Sequence, residues 1–84
     1  MIKLKSKDNT VSFVKDSRLE LIGNGRCVVD GLKGIEIYNS DKIKVNLGKY
    51  YVTFFGDNLF INAFSPEGAI VEGTIISLEF ESNG

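Results

Sequence analysis

Hydrophobic and polar residues alternate along much of this chain with a period of two. In IKVNL, residues 43–47, three apolar side chains alternate with Lys44 and Asn46. Successive side chains of a β-strand point to opposite faces, so this pattern predicts a strand with one buried face. The same alternation recurs at 59–64 and 76–81, and no stretch keeps a convincing helical period of 3.6.

Four clusters of turn-forming residues separate these alternating stretches. They are Gly23-Asn24-Gly25, Asn39-Ser40-Asp41-Lys42, Gly56-Asp57-Asn58 and Ser65-Pro66-Glu67-Gly68. Each lies between apolar or β-branched runs, which is typical of consecutive hairpins. The runs so delimited are 19–22, 26–30, 34–38, 43–47, 50–55, 59–64, 69–72 and a last one near 76–81.

This pattern predicts an all-β, single small domain of about eight short, mainly antiparallel strands, arranged as a meandering sandwich or a small barrel. The even spacing of the runs leaves a short β-solenoid as the alternative. The 84 residues suffice for one domain, 1–84, whose ends at 1–10 and 82–84 we expect to be frayed.

Composition indicates a folded protein, and the single cysteine, Cys27, which cannot form an internal disulfide, agrees with a reducing compartment. Hydrophobic residues make up 43% of the chain, and no apolar run approaches the roughly 18 residues of a spanning helix. The start has no apolar signal-peptide stretch, so we expect a cytoplasmic protein. Residues 3–49 carry a net charge of +4 and residues 50–84 one of −5. The overall pI near 5.3 argues against strong nonspecific binding of nucleic acid.

The residues offer little for catalysis. Histidine is absent and Cys27 is the single cysteine, so nucleophile–histidine systems and the usual zinc sets cannot form within one chain. Cys27 is expected to be buried and inert. Gly23 and Gly25 lack the third glycine of a dinucleotide fingerprint. We therefore expect no enzyme activity, no cofactor and no metal.

Two aromatic doublets are the candidate interaction residues. Tyr50-Tyr51 and Phe54-Phe55 each place one ring on either face of a strand. One ring of each doublet can fill the core, and the other predicts a contact with protein, either in a homo-oligomer or with an obligate partner. A nucleic-acid-binding OB-like barrel and a small-ligand or carbohydrate-binding β module are the alternatives. The absence of bases from 50–84 weakens the former.

Two longer sequence segments resemble a known protein family. CVVDGLKGIEIYNSDKIKVNLG and GDNLFINAFSPEGAIVEGTIISLEF are similar to the glycine and aliphatic pattern of the YabP/YqfC sporulation proteins. The resemblance implies a non-enzymatic protein of endospore formation. It also implies an integral membrane sporulation protein or a spore envelope layer as partner, and a location at the forespore membrane. Gly48 and Gly56 enclose seven residues where the family has about five, so the aromatic doublets lie in the segment that departs from the pattern.

Overall fold

The computed structural model describes the backbone of residues 10–14 and 17–83, and side chains from Ser17 onward. These residues form seven β-strands and no helix. The strands are β1 (Thr10–Val14), β2 (Ser17–Ile22), β3 (Arg26–Asp30), β4 (Gly34–Tyr38), β5 (Lys42–Asn46), β6 (Tyr50–Ser65) and β7 (Gly68–Ser82).

The strands form one antiparallel sheet in the order β1-β2-β3-β7-β6-β5-β4. Each strand pair along this order is antiparallel. The predicted all-β, mainly antiparallel class is thereby confirmed. The solenoid alternative is not formed, because the rungs of a solenoid would pair in parallel.

The sequence prediction is wrong at Gly56-Asp57-Asn58, where it placed a hairpin turn. This segment is a bend inside the continuous strand β6, and Gly73 lies at a matching bend inside β7. A Cβ atom on Gly56 would lie 1.9 Å from the Thr74 carbonyl oxygen. Gly73 has φ +125° and Asn58 has φ 53°, a region that favours glycine and tolerates asparagine. These residues allow a tight bend within each of two paired strands. The predicted runs 50–55 and 59–64 are therefore one strand, β6, and the runs 69–72 and 76–81 are one strand, β7.

The bends fold the sheet into two facing layers. We call layer A the part formed by β1, β2, β3, residues 68–72 of β7 and residues 60–65 of β6. Layer B comprises β4, β5, residues 50–57 of β6 and residues 74–82 of β7. Stacked sheets lie about 10 Å apart, and the smallest extent of the Cα positions, 22 Å, leaves room for two such layers.

The core lies between the two layers. Layer A contributes Leu19, Cys27, Val29 and Val71, and layer B contributes Ile43, Val45, Val52, Phe54 and Leu78, among others. The buried residues of β5 alternate with Lys42, Lys44 and Asn46, as the periodicity predicted. The predicted sandwich is thus built from a single sheet that is folded on itself.

The turns of the two short hairpins hold the bends in place. The Leu59 amide donates to the Ser40 carbonyl oxygen at 2.8 Å, and the Ile75 amide donates to the Asn24 carbonyl oxygen at 2.8 Å. Amides that the bends remove from the sheet ladder are therefore paired with turn carbonyls, as buried backbone groups require.

The expectation of frayed ends falls mostly outside the described residues. Of the residues that are described, Thr10 begins β1 and Ser82 ends β7. Asn83 donates its amide to the Lys49 carbonyl oxygen at 3.0 Å and its side chain to the Gly48 carbonyl oxygen at 2.7 Å.

Candidate functional site

The two aromatic doublets divide their rings between the faces of β6. Phe54 is fully buried in the core, so it cannot be the outward ring of its doublet, and Phe55 takes that place. Tyr50 follows the parity of Val52 and Phe54 and faces inward, whereas Tyr51 faces outward with Phe55. Tyr50, Tyr51 and Phe55 are each half-buried.

Lysine side chains cover the outward rings. The Lys44 Nζ lies 4.5 Å from the ring centre of Tyr51, and the Lys42 Nζ lies 5.9 Å from that of Phe55. Thr53, between the two rings on the same face, is only 7% exposed. Because long cationic side chains bury their methylene stems on apolar surface, the face is largely closed by its own strands. That these rings bind a partner stays a prediction.

The charges on this face are balanced. Lys44 Nζ forms an ion pair with Glu81 Oε1 at 3.1 Å, and Glu79 is exposed on the adjacent strand. Single-stranded nucleic acid requires a basic groove beside its aromatic platforms. The surface that carries Tyr51 and Phe55 therefore does not favour the nucleic-acid alternative.

A second apolar surface lies along β4, at residues that the sequence pattern did not single out. Ile35 pairs with Val45 and Tyr38 pairs with Ile43, so both side chains are on the core face of layer B. Their exposed fractions are nevertheless 37% and 55%. The core face of layer B is thus left partly uncovered at this edge.

Layer A supplies the other wall of this surface. Phe64 is 64% exposed and lines a shallow depression together with Leu32, Gly34 and Pro66. The Ile61 amide donates to the Tyr38 hydroxyl at 3.0 Å, which links β6 to the end of β4. We call this surface the β4 groove and define it by Leu32, Ile35, Tyr38, Ile61 and Phe64. The sequence alone does not predict this groove, because GIEIY and LFINAF both have the alternating pattern of an ordinary half-buried strand.

The other exposed apolar side chains are isolated. Ile22 and Phe60 lie at opposite ends of one row across layer A. Between them the Arg26 Nε and Glu72 Oε2 form an ion pair at 3.1 Å. Ile76, 67% exposed, lies on β7 at the opposite edge of layer B from β4. Single exposed apolar residues are normal, so the β4 groove stands out as a clustered apolar surface.

The described residues offer no arrangement for metal chemistry, since no group of three or more Cys, Asp or Glu side chains is suitably placed. Cys27 is fully buried, as the sequence analysis expected, and burial raises its pKa to about 12. A thiol with such a pKa is fully protonated near neutral pH and is a poor nucleophile. Within the described part of the chain, no helix has the length and apolar character to cross a membrane.

The chain is similar to a known protein family. A family model described as the YabP family matches residues 14–84, which is most of the chain. No curated protein and no solved structure matches it.

Proposed function

The chain belongs to the YabP family and is thus a sporulation-related protein, and we propose that it acts there as a non-enzymatic interaction protein. In this proposal it binds another protein of endospore formation through its surface, without transforming a substrate. The partner is an integral membrane sporulation protein or a layer of the spore envelope. In this proposal the protein is cytoplasmic and lies at the forespore membrane or at the spore envelope.

The β4 groove is the observation that supports this proposal. Tyr38 and Phe64 are more than half exposed although both lie on core-facing positions of their strands. Burying apolar surface stabilises an assembly by about 25 cal/mol per Å², so a partner that covers these rings gains free energy. A clustered apolar surface on a small domain is typical of a protein–protein interface.

Homo-oligomerisation through the Tyr51 and Phe55 face stays a separate prediction. Because Lys42 and Lys44 lie over these rings, this face leaves less apolar surface exposed than the β4 groove does. Light scattering at high micromolar concentration tests it directly. A mass equal to one 9.3 kDa chain would argue against self-association.

The proposed function is tested by gene deletion and complementation in the sporulating host. We expect the deletion to lower heat-resistant spore counts by orders of magnitude with normal vegetative growth, and the wild-type gene to restore them. A Tyr38→Ser/Phe64→Ser gene should fail to restore them, whereas the matched control Ile76→Ser should succeed. Unchanged counts in the deletion strain would refute the role in sporulation. Full complementation by the double variant would refute the β4 groove as the interacting surface.

A further inference from the structure

The two layers of the sheet repeat the same arrangement of strands. In layer A a short hairpin, β2–β3, pairs through β3 with residues 68–72 of β7, next to β6. In layer B a short hairpin, β4–β5, pairs through β5 with residues 51–55 of β6, next to β7. The layers are therefore related by an approximate two-fold axis through the two bends.

Hydrogen bonds at the bends support this relation. In layer A the turn carbonyls of Asn24 and Gly25 accept from the bend of β7 at 2.8 Å and 3.3 Å. In layer B the turn carbonyls of Ser40 and Asp41 accept from the bend of β6 at 2.8 Å and 3.2 Å. Matching bonds of matching length place β2 in correspondence with β4.

The correspondence is broken at two places. β4 pairs with β5 through an irregularity between Ile35 and Ile37, whereas β2 pairs with β3 without one. Among the described residues, β1 also has no counterpart. β1 pairs along β2, with Val11 opposite Leu19. No described strand pairs along the outer edge of β4, which is the end of the sheet. In the part of the chain that the structure describes, layer A therefore has one strand more than layer B.

Burial at equivalent positions shows the effect of the missing strand. Leu19 is opposite Val29, and Ile35 is opposite the corresponding Val45. Leu19 is 0% exposed, whereas Ile35 is 37% exposed.

The aromatic rings at the far ends of the long strands show the same difference. Phe80 pairs with Val52 of layer B, and Phe64 pairs with Ala69 of layer A. Phe80 is half-buried and Phe64 is 64% exposed.

We propose that β4 is an acceptor edge, which binds an extended strand of another protein in the place that corresponds to β1. This inference rests on the proposed function and names the mode of binding. The incoming strand pairs antiparallel with β4 and lays its apolar side chains over Ile35 and Phe64. Main-chain hydrogen bonds supply the affinity, and the apolar contacts determine which partner sequences bind, as in other cases of strand addition.

The chemistry of the partner follows from the segment that occupies the corresponding place. β1 has the sequence TVSFV, which is uncharged and has apolar residues at alternate positions apart from its last. We therefore expect an uncharged partner segment of about five residues, rich in β-branched and aromatic side chains. A second copy that paired β4 with β4 over the full length of the strand would place Glu36, the middle residue of the strand, against its own equivalent. Like charges directly opposite destabilise a strand pair, so the occupant is a different polypeptide.

The experiment appends a copy of residues 8–16, DNTVSFVKD, after Gly84 through a flexible Gly/Ser linker. Such a tether supplies an effective concentration of about 1 mM, so even a weak strand binds to a measurable extent. Amide hydrogen exchange and ¹⁵N–¹H spectra are compared with those of the unmodified chain. A chain with the appended residues in scrambled order is the control.

We expect exchange of the β4 amides to slow by roughly tenfold with the native-order tail, for a strand that binds at about 0.1 mM. Shifts should centre on Ile35, Tyr38 and Phe64, and Phe64→Ser should reduce the protection. Unchanged exchange at β4 would overturn the proposal. Shifts confined to β2 would also overturn it, because they would mean that the tail replaces β1. Dimerisation of the unmodified chain through β4 would overturn the choice of a different polypeptide.

These outcomes are separable from failure of the proposed function. Spore counts test whether the groove matters in the cell, and the appended strand tests only how β4 binds. A double variant that fails to complement, with a tail that leaves β4 unprotected, would keep the interaction role and reject strand addition.

Discussion

The two phenylalanines of one doublet should differ sharply in what they contribute to stability. Phe54 is among the largest fully buried side chains, and its neighbour Phe55 is half-buried on the opposite face of β6. Phe54→Ala removes a ring from the closed core between the layers, where truncation of a phenylalanine costs about 3–5 kcal/mol. An 84-residue domain has a total stability of only about 4–13 kcal/mol. The variant is therefore expected to lose about a quarter or more of its free energy of unfolding.

Phe55→Ala should cost about 1 kcal/mol, because the ring is partly in water and the Lys42 Nζ lies at the outer limit of a cation–π contact, 5.9 Å away. Urea denaturation followed by circular dichroism measures both variants, and the midpoint reports stability if the slope is unchanged. Equal losses for the two variants would refute the assignment of faces. A loss below about 1 kcal/mol for Phe54→Ala would refute the closed core.

Three further predictions concern the bend, the thiol and the link between the layers. Gly73→Ala should destabilise by more than about 2 kcal/mol in urea denaturation, because its Cβ would lie 2.5 Å from a β6 carbonyl oxygen at φ +125°. Gly34→Ala, where a Cβ meets no atom within 4 Å, is the control, and equal losses would contradict the bend argument. Cys27 should react with iodoacetamide only on unfolding. Since its pKa rises from 9.0 to about 12 on folding, the thiol should lower stability between those pH values by up to about 1.4 kcal/mol per pH unit. The slope measured for the wild type should therefore be steeper than that for Cys27→Ala by this amount. Tyr38→Phe removes the acceptor for the Ile61 amide and should cost about 0.5–1.5 kcal/mol. No change in its thermal unfolding would mean that water replaces the hydroxyl at no cost.

The sequence predicted the strand character well because the period of two is a local property. β3 and β4 have the predicted bounds, and the alternation at 43–47 gives the buried face of β5. The bends were misread because a turn and a bend in a long strand require the same residues. Only the register, with Gly56 opposite Ile75, distinguishes a bend from a turn at this position. The register between strands that are distant in sequence cannot be derived from local composition.

The candidate site was less predictable for a related reason. Whether Tyr51 or Tyr38 is free depends on what lies beside each one in space. Lys44 reaches Tyr51 from the neighbouring strand, whereas no strand among the described residues covers the β4 groove beyond the edge of β4. Aromatic doublets identify rings that leave the core, but coverage by other strands decides which of them remain exposed.

The position of β7 has a consequence for how the chain folds during its synthesis. β7 pairs with β3 in layer A and with β6 in both layers, and it follows all of its partners in the sequence. The ribosome therefore releases β2–β3 and β4–β5 as separate hairpins, which are marginal in water on their own. Neither layer can be completed until β7 has left the exit tunnel. Until then the edges of the strands that pair with β7 remain unpaired. Open strand edges can pair with other chains, so rapid closure of the β6–β7 hairpin shortens the interval in which the chain is prone to aggregate.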